Sequence, residues 1–273
     1  MPGSLDEADP SLCIAHGPII SPASSNSAAD RVDPRTAPRL RVAGRVRSRF
    51  DWRSGVGDAS PRSGGSSTRE FSTITQALTA LRRGEPVIVV ADDDLESTGA
   101  IVLAAELASV RWVTWAVRNS SGFLTAPITN ELADRLDLPL MVKVGENQRG
   151  TAYTVTVDAA DGPGTGISAR DRAHTLRVLA DPSSAPERLT RPGHLLPIRA
   201  ATGGLAERAG HVEAAVALVA LAGLRPVAAL CEVVGGDGEM LRLPALLDLG
   251  ERESVPIVTI GLLASHLEVP RGS

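Results

Sequence analysis

The chain has 273 residues, a formal net charge of −4 and only 3% aromatic residues, so it offers neither the basic field nor the stacking rings that nucleic-acid binding needs. Cys13 and Cys231, its two cysteines, lie too far apart in sequence to suggest a disulfide framework or a zinc motif. No apolar run reaches the ~18 residues of a membrane helix and no charged-then-apolar leader opens the chain, so the expectation is a soluble, cytoplasmic protein with no membrane partner.

Residues 1–70 are rich in Ser, Pro, Gly and Arg, as in "SPASSNSAADRVDPRTAP" and "DWRSGVGDASPRSGGSSTRE", and read as a disordered leader. Inside it, "RLRVAGRVRSRF" (39–50) alternates and predicts a short strand. From Phe71 the pattern is globular. "STITQALTALRRG" predicts a helix with an N-cap serine and a closing Gly84. "PVIVV" (86–90) predicts a buried strand, "TGAIVLAAELA" a helix, and "RWVTWAVR" (111–118) a strand. "TNELADRLDL" predicts a helix, "AYTVTVDA" (152–159) a strand, "ARDRAHTLRVLA" a helix and "HLLPIRA" a strand. "HVEAAVALVALAGL" (211–224) is a strongly apolar helix, "PVAALCEVV" a strand and "LPALLDLGERE" a helix. "VPIVTIGLLAS" closes the domain as a strand and turn. This alternation gives one α/β or α+β domain over residues 71–268, with 269–273 as a tail.

Polar stretches interrupt the apolar pattern at the ends of elements: "DDDLESTGA" (92–100), "GPGTGISARDRAHT" (162–175), "RPGHLLP" (191–197), "ERAGHVEAA" (207–215) and "LCEVVGGDG" (230–238). His194 follows a Pro-Gly turn and His211 opens a helix, which are functional settings as often as structural ones. His174, inside a helix, and His16, in the leader, take structural readings. One or two histidines with several carboxylates suit a hard divalent cation, Mg²⁺ or Mn²⁺.

Several long segments, in order, resemble the 3,4-dihydroxy-2-butanone 4-phosphate synthase family: "GEPVIVVADDDLE", "SSGFLTAPIT", "GTAYTVTVDAADG", "TGISARDRAHT", "RPGHLLPIRA" and "GGLAERAGHVEAAVALVALAGLRPVAALCE". The resemblance implies a single-domain α/β sandwich of α+β class, a homodimer with sites at the subunit interface, and a small-molecule substrate. The family reaction is Mg²⁺-dependent conversion of ribulose 5-phosphate to the four-carbon ketone phosphate plus formate. It also implies roles. Glu96 and His211 match the metal ligands. His194 and Glu232 match residues lining the site, and Asp94, Thr98 and Thr125 stand at further catalytic positions. Arg208, Gly210, Thr165, Ser168, Asp171, Arg172, Asn119 and Val212 occupy substrate-binding positions, Arg208 facing the phosphate. A GTP cyclohydrolase II partner domain, with its Cys-rich zinc site, is not expected within the 273 residues.

The chain departs from the family pattern in the same places. The acidic loop D-D-E-D-R-E-N-E-G-D becomes "ADDDLESTGA", so an arginine is Leu95, a glutamate Thr98 and an aspartate Ala100. R-H-x-S-G becomes "RNSSG", placing Asn119 where the family has histidine. A site cysteine is Thr125, the first threonine of T-T-G is Gly164, and the threonine of G-H-T-E is Val212. Losing a proton-transfer residue typically removes roughly 10²–10⁴-fold in rate. The expectation is therefore an enzyme of this family retuned to another small sugar-like or hydroxy-carbonyl substrate, in specialised metabolism. A true riboflavin-pathway synthase and an inactive binding subunit are the alternatives.

Overall fold

The first helix shows how local sequence sets the frame. In the computed structural model, α1 (Ile74–Arg82) opens on a capping box: Thr73 Oγ1 accepts from the Gln76 amide while the Gln76 side chain accepts from the Thr73 amide. The N-cap is thus Thr73 and not Ser72. The serine instead ties the helix to the sheet, its hydroxyl accepting from Ile257 N–H at 3.1 Å. Ile74, Ala77, Leu78 and Leu81 follow the helical period and are buried.

The structure describes residues 71–91, 96–142, 150–162 and 164–268. The expected leader 1–70 with its strand at 39–50, Asp94 and Leu95 of the acidic loop, and the tail 269–273 lie outside the described residues.

Eight strands form one mixed sheet in the order β4-β6-β3-β7-β2-β1-β8, with β5 also pairing β6. They are β1 (Val87–Val90), β2 (Gly99–Ala104), β3 (Thr125–Ile128), β4 (Ala152–Tyr153), β5 (Val157–Ala159), β6 (Leu189–Arg199), β7 (Ala228–Glu232) and β8 (Ile257–Thr259). The β1–β8 and β3–β6 pairs are parallel and the others antiparallel. Side chains alternate between two cores. Ile88, Val90, Ile101, Leu103, Ala229 and Cys231 pack on one face under α2 (Val110–Arg118), α4 (Ala169–Ala180) and α6 (Leu243–Glu253). Val87, Val89, Ala100, Val102, Ala228 and Leu230 pack on the other, under α1, α5 (His211–Leu221) and α7 (Ile260–Glu268). The short α3 (Asn130–Arg135) follows β3. The result is the expected α+β sandwich, with helices covering both faces of the sheet.

Four sequence expectations need correction. "TGAIVLAAELA" is a strand, β2, followed by a short 3₁₀ turn at Ala105–Leu107. Every residue of β2 is buried because the strand lies between β1 and β7 with helices on both sides, which erases the alternation that marks a half-exposed strand. "RWVTWAVR" is a helix, α2: Ser109 Oγ caps it by accepting from Trp112 N–H, and Val113 and Ala116 turn inward three residues apart. "IGLLAS" continues into α7 and is not a turn, and "TAPI", left unassigned, forms β3. "AYTVTVDA" divides into β4 and β5.

Candidate active site

At one end of the β3–β7 junction lies a cavity of about 790 Å³. The start of α5 supplies Gly210, His211 and Val212 to it, and the preceding turn supplies Arg208. β7 contributes Glu232 from its last position, β3 contributes Thr125, and β4 contributes Tyr153. Ala91 and Thr98 also line it, and the Ala91 N–H donates to the Thr98 carbonyl at 3.3 Å. The loop carrying Glu96 therefore leaves from and returns to the cavity wall.

Polar groups at this cavity are held in different ways. Arg208 donates from Nε and Nη2 to Glu213 Oε1 at 3.0 and 2.6 Å, and from Nη1 to the Gly150 carbonyl at 2.9 Å. Gly210 caps α5 without a side-chain acceptor, so no N-cap side chain bonds the first amides of the helix. Thr125 is buried and its hydroxyl donates to the Leu230 carbonyl at 2.9 Å, so it serves the sheet as well as the cavity wall. Val212 presents only methyl groups where the family pattern has a hydroxyl. Glu96 is exposed, with Arg242 Nε 3.8 Å from its Oε2.

Among the described residues, the remaining sequence candidates do not line this cavity. His194 on β6 is held by Asp158 on β5: Asp158 Oδ2 accepts from His194 Nδ1 at 2.7 Å and Oδ1 from its backbone N–H at 2.9 Å. The imidazole stays 42% exposed. Gly166, at φ +94°, packs so closely that a β-carbon there would overlap both Asp158 Oδ2 and His194 Nδ1. Its N–H donates to Asp171 Oδ2 at 3.2 Å. Ser168 caps α4 by accepting from Asp171 N–H at 3.0 Å, and Thr165 is exposed beside Gly166. Asp171 and Arg172 are buried, Arg172 donating to the Gly122 carbonyl at 3.0 Å, and burial pulls its guanidinium below the usual arginine range. Asn119 caps α2, its amide donating to the Trp115 carbonyl at 2.9 Å, and lines a separate cavity of about 420 Å³ with Arg118 and Arg252. His174 pairs with Asp161 at 2.8 Å and lowers that carboxyl, which fits its structural reading.

Sequence reading passed over Asp158 and Glu213, the two carboxylates that orient His194 and Arg208. Each lies in a segment quoted for the resemblance, "TVDAADG" and "GHVE", and each is partly or wholly sequestered from solvent. In the sequence Cys231 is only one of two distant thiols. It is buried, and burial pushes it up to about 11 despite Ser120 and Arg172 nearby.

The family model described as 3,4-dihydroxy-2-butanone 4-phosphate synthase matches residues 75–266. The chain belongs to this family. Over 196 residues it is 50% identical to the riboflavin biosynthesis protein RibBA of Salinispora arenicola, a match covering 72% of this chain and 47% of the relative. It thus spans about half the length of the RibBA relatives. The crystal structure of 3,4-dihydroxy-2-butanone 4-phosphate synthase of Candida albicans aligns with a TM-score of 0.69 at 44% identity, covering 73% of this chain and 99% of that one. A further 3,4-dihydroxy-2-butanone 4-phosphate synthase structure, in complex with two magnesium ions, aligns with a TM-score of 0.67 at 40% identity over 72% of this chain and 97% of that one.

The family's divalent metal fits the residues present in a limited way. Among the described residues no three His, Cys, Asp or Glu side chains gather into a metal site. The donors that the family resemblance points to would be the carboxylate of Glu96 and the imidazole of His211, the latter lining the cavity. Mg²⁺ commonly takes one or two protein carboxylates and completes its shell with water and substrate oxygens, so two protein donors beside an open cavity are compatible with it.

Proposed function

We propose that the chain catalyses the parent reaction of its family, conversion of ribulose 5-phosphate to 3,4-dihydroxy-2-butanone 4-phosphate and formate. Support comes from family membership, from 50% identity to a riboflavin biosynthesis relative, and above all from a cavity lined by Arg208, His211 and Glu232 together. Arg208 and the first amides of α5 hold the phosphate through charge-assisted hydrogen bonds. Glu232, at the open end of β7, faces the sugar carbons and exchanges protons with them. Glu96 and His211 would hold the Mg²⁺, which would supply positive charge to the oxygens on which negative charge develops.

His194 does not line its own chain's cavity, and its imidazole is open to solvent. The proposal therefore includes a homodimer in which His194 of the partner subunit meets this cavity. Large apolar side chains favour such pairing: Phe123 and Met141 are 56% and 53% exposed, and Ile167, beside the His194 group, is 54% exposed. Phe123 lines the cavity, and Met141 N–H bonds to the carbonyl of cavity residue Tyr153 at 2.9 Å.

A second reading, a changed substrate, draws on Val212, Thr98 and Thr125. They place methyl and hydroxyl groups where the family pattern has a phosphate-binding hydroxyl, a carboxylate and a thiol. Uniformly ¹³C-labelled ribulose 5-phosphate and Mg²⁺, followed by NMR, separate the two. Labelled formate with a four-carbon phosphate supports the parent reaction. Unchanged substrate, with Mg²⁺ binding that is lost in His211→Ala, overturns it in favour of the changed pocket.

A further inference from the structure

Arg208 reaches the cavity wall with its orientation already fixed by a neighbour. Glu213, in the first turn of α5, has a side chain with 0% exposure against 29% for Arg208. Its Oε1 takes three donors: Arg208 Nη2 at 2.6 Å, Arg208 Nε at 3.0 Å and the Ala201 N–H at 2.8 Å. With Nη1 also bonded to the Gly150 carbonyl, three of the guanidinium's five N–H groups are engaged by the protein. One N–H on each terminal nitrogen is left for a ligand. The main chain is shaped to the same carboxylate, since a β-carbon at Gly210 would come within 2.8 Å of Glu213 Oε2.

We propose that Glu213 is a positioning residue: it holds Arg208 in the geometry that grips the substrate's anionic group and so sets substrate affinity, not the chemical step. This rests on the reading of Arg208 as the phosphate ligand. A free arginine must lose rotamer freedom each time it closes on an anion, whereas a clamped one has lost it on folding. The clamp has a second effect of opposite sign. The Glu213 charge offsets that of Arg208 and weakens long-range attraction to a phosphate. Orientation and charge therefore predict different behaviour for the amide variant. Glu213→Gln keeps an oxygen to accept from Arg208 and Ala201 but removes the negative charge, whereas Glu213→Ala removes both.

The test measures inorganic phosphate binding by calorimetry, together with KM and kcat for ribulose 5-phosphate, on the full chain with Mg²⁺. The proteins are wild type, Glu213→Gln, Glu213→Ala, Arg208→Ala and Arg208→Ala/Glu213→Ala. If orientation dominates, Glu213→Ala raises KM and phosphate Kd by about tenfold or more with kcat within about threefold, as for lost uniform binding. Glu213→Gln then stays within about threefold of wild type, and in the Arg208→Ala background the Glu213 change adds nothing. Equal losses in the Ala and Gln variants overturn the proposal. So does a Glu213→Ala loss that persists undiminished without Arg208, which would leave only support of the Ala201 backbone. Arg208→Ala with wild-type binding, or a wild type that binds neither phosphate nor ribulose 5-phosphate, overturns the underlying reading of Arg208 and the proposal with it. Should Glu213→Ala fail to fold, Glu213→Asp carries the comparison: it keeps the charge but retracts it by one methylene, and it must raise KM where Gln does not.

Discussion

Replacing Asp158 with asparagine separates the fold of the His194 pair from its chemistry. The aspartate accepts two hydrogen bonds from one residue, from the His194 backbone at 2.9 Å and from Nδ1 at 2.7 Å. A carboxylate only accepts, so Nδ1 carries a hydrogen and Nε2 is the atom left to exchange a proton. Asparagine retains one oxygen for the backbone N–H, but its NH₂ then faces Nδ1 and favours the opposite tautomer, with hydrogen on Nε2. The stability cost is one charge-assisted bond, nominally about 1.5–3 kcal/mol, reduced to about 1 kcal/mol because the imidazole is 42% exposed. For a domain of about 200 residues that is a Tm fall of roughly 2–4 °C. If His194 moves a proton in the reaction, kcat falls by roughly 10²–10⁴-fold while KM changes little. Formate release, measured alongside a thermal melt, reads both quantities. A kcat within threefold of wild type would refute the role assigned to the pair, and a Tm loss above about 10 °C would recast Asp158 as a residue of the fold.

Two further outcomes are expected. Cys231, pushed up to about 11 by burial, is roughly a thousandth thiolate at pH 8 against about a quarter for an ordinary thiol. Iodoacetamide should therefore leave the Cys231 peptide unlabelled in native protein at pH 8 and modify it in urea, as read by peptide mass spectrometry; rapid native labelling would contradict the buried placement. Leu218→Ala removes a fully buried side chain from α5, where it packs in the cluster with Val102 and Leu230, and should cost about 2–5 kcal/mol in a urea melt. A cost below 1 kcal/mol would mean that this face of the sheet is less tightly packed than described.

Most helices were legible because their punctuation is local. Ser168 before "ARDRAHTLRVLA" and Gly210 before "HVEAAVALVAL" mark starts that the structure keeps. The errors came where tertiary position overrides local pattern. β2 is Ala-rich and buried on both faces, so its composition resembles a helix and its alternation is invisible. α2 is rich in tryptophan and valine, residues that favour strands, and only its cap and the inward turn of Val113 and Ala116 reveal the helix. In the site, the family motifs indicated Arg208, His211 and Glu232, which the fold brings to one cavity. They could not indicate that His194 and the 164–172 segment gather elsewhere on the same chain. That separation follows from position along β6: Ile198 lines the cavity, whereas His194, four residues earlier on the same strand, sits where β6 pairs with β5, which no local spacing encodes.

The single registered pair between β3 and β7, Thr125 opposite Leu230, is the joint between two four-stranded halves of the sheet. Tyr153 and Ile198 line the cavity from one half, Leu230 and Glu232 from the other. The Thr125 hydroxyl spans the joint like a rivet, and returning this position to the family's cysteine would exchange it for a thiol, a far weaker donor. A thiol there would thus change the cavity lining and loosen the joint beneath it in one step, so the site and the sheet cannot be altered separately at this position.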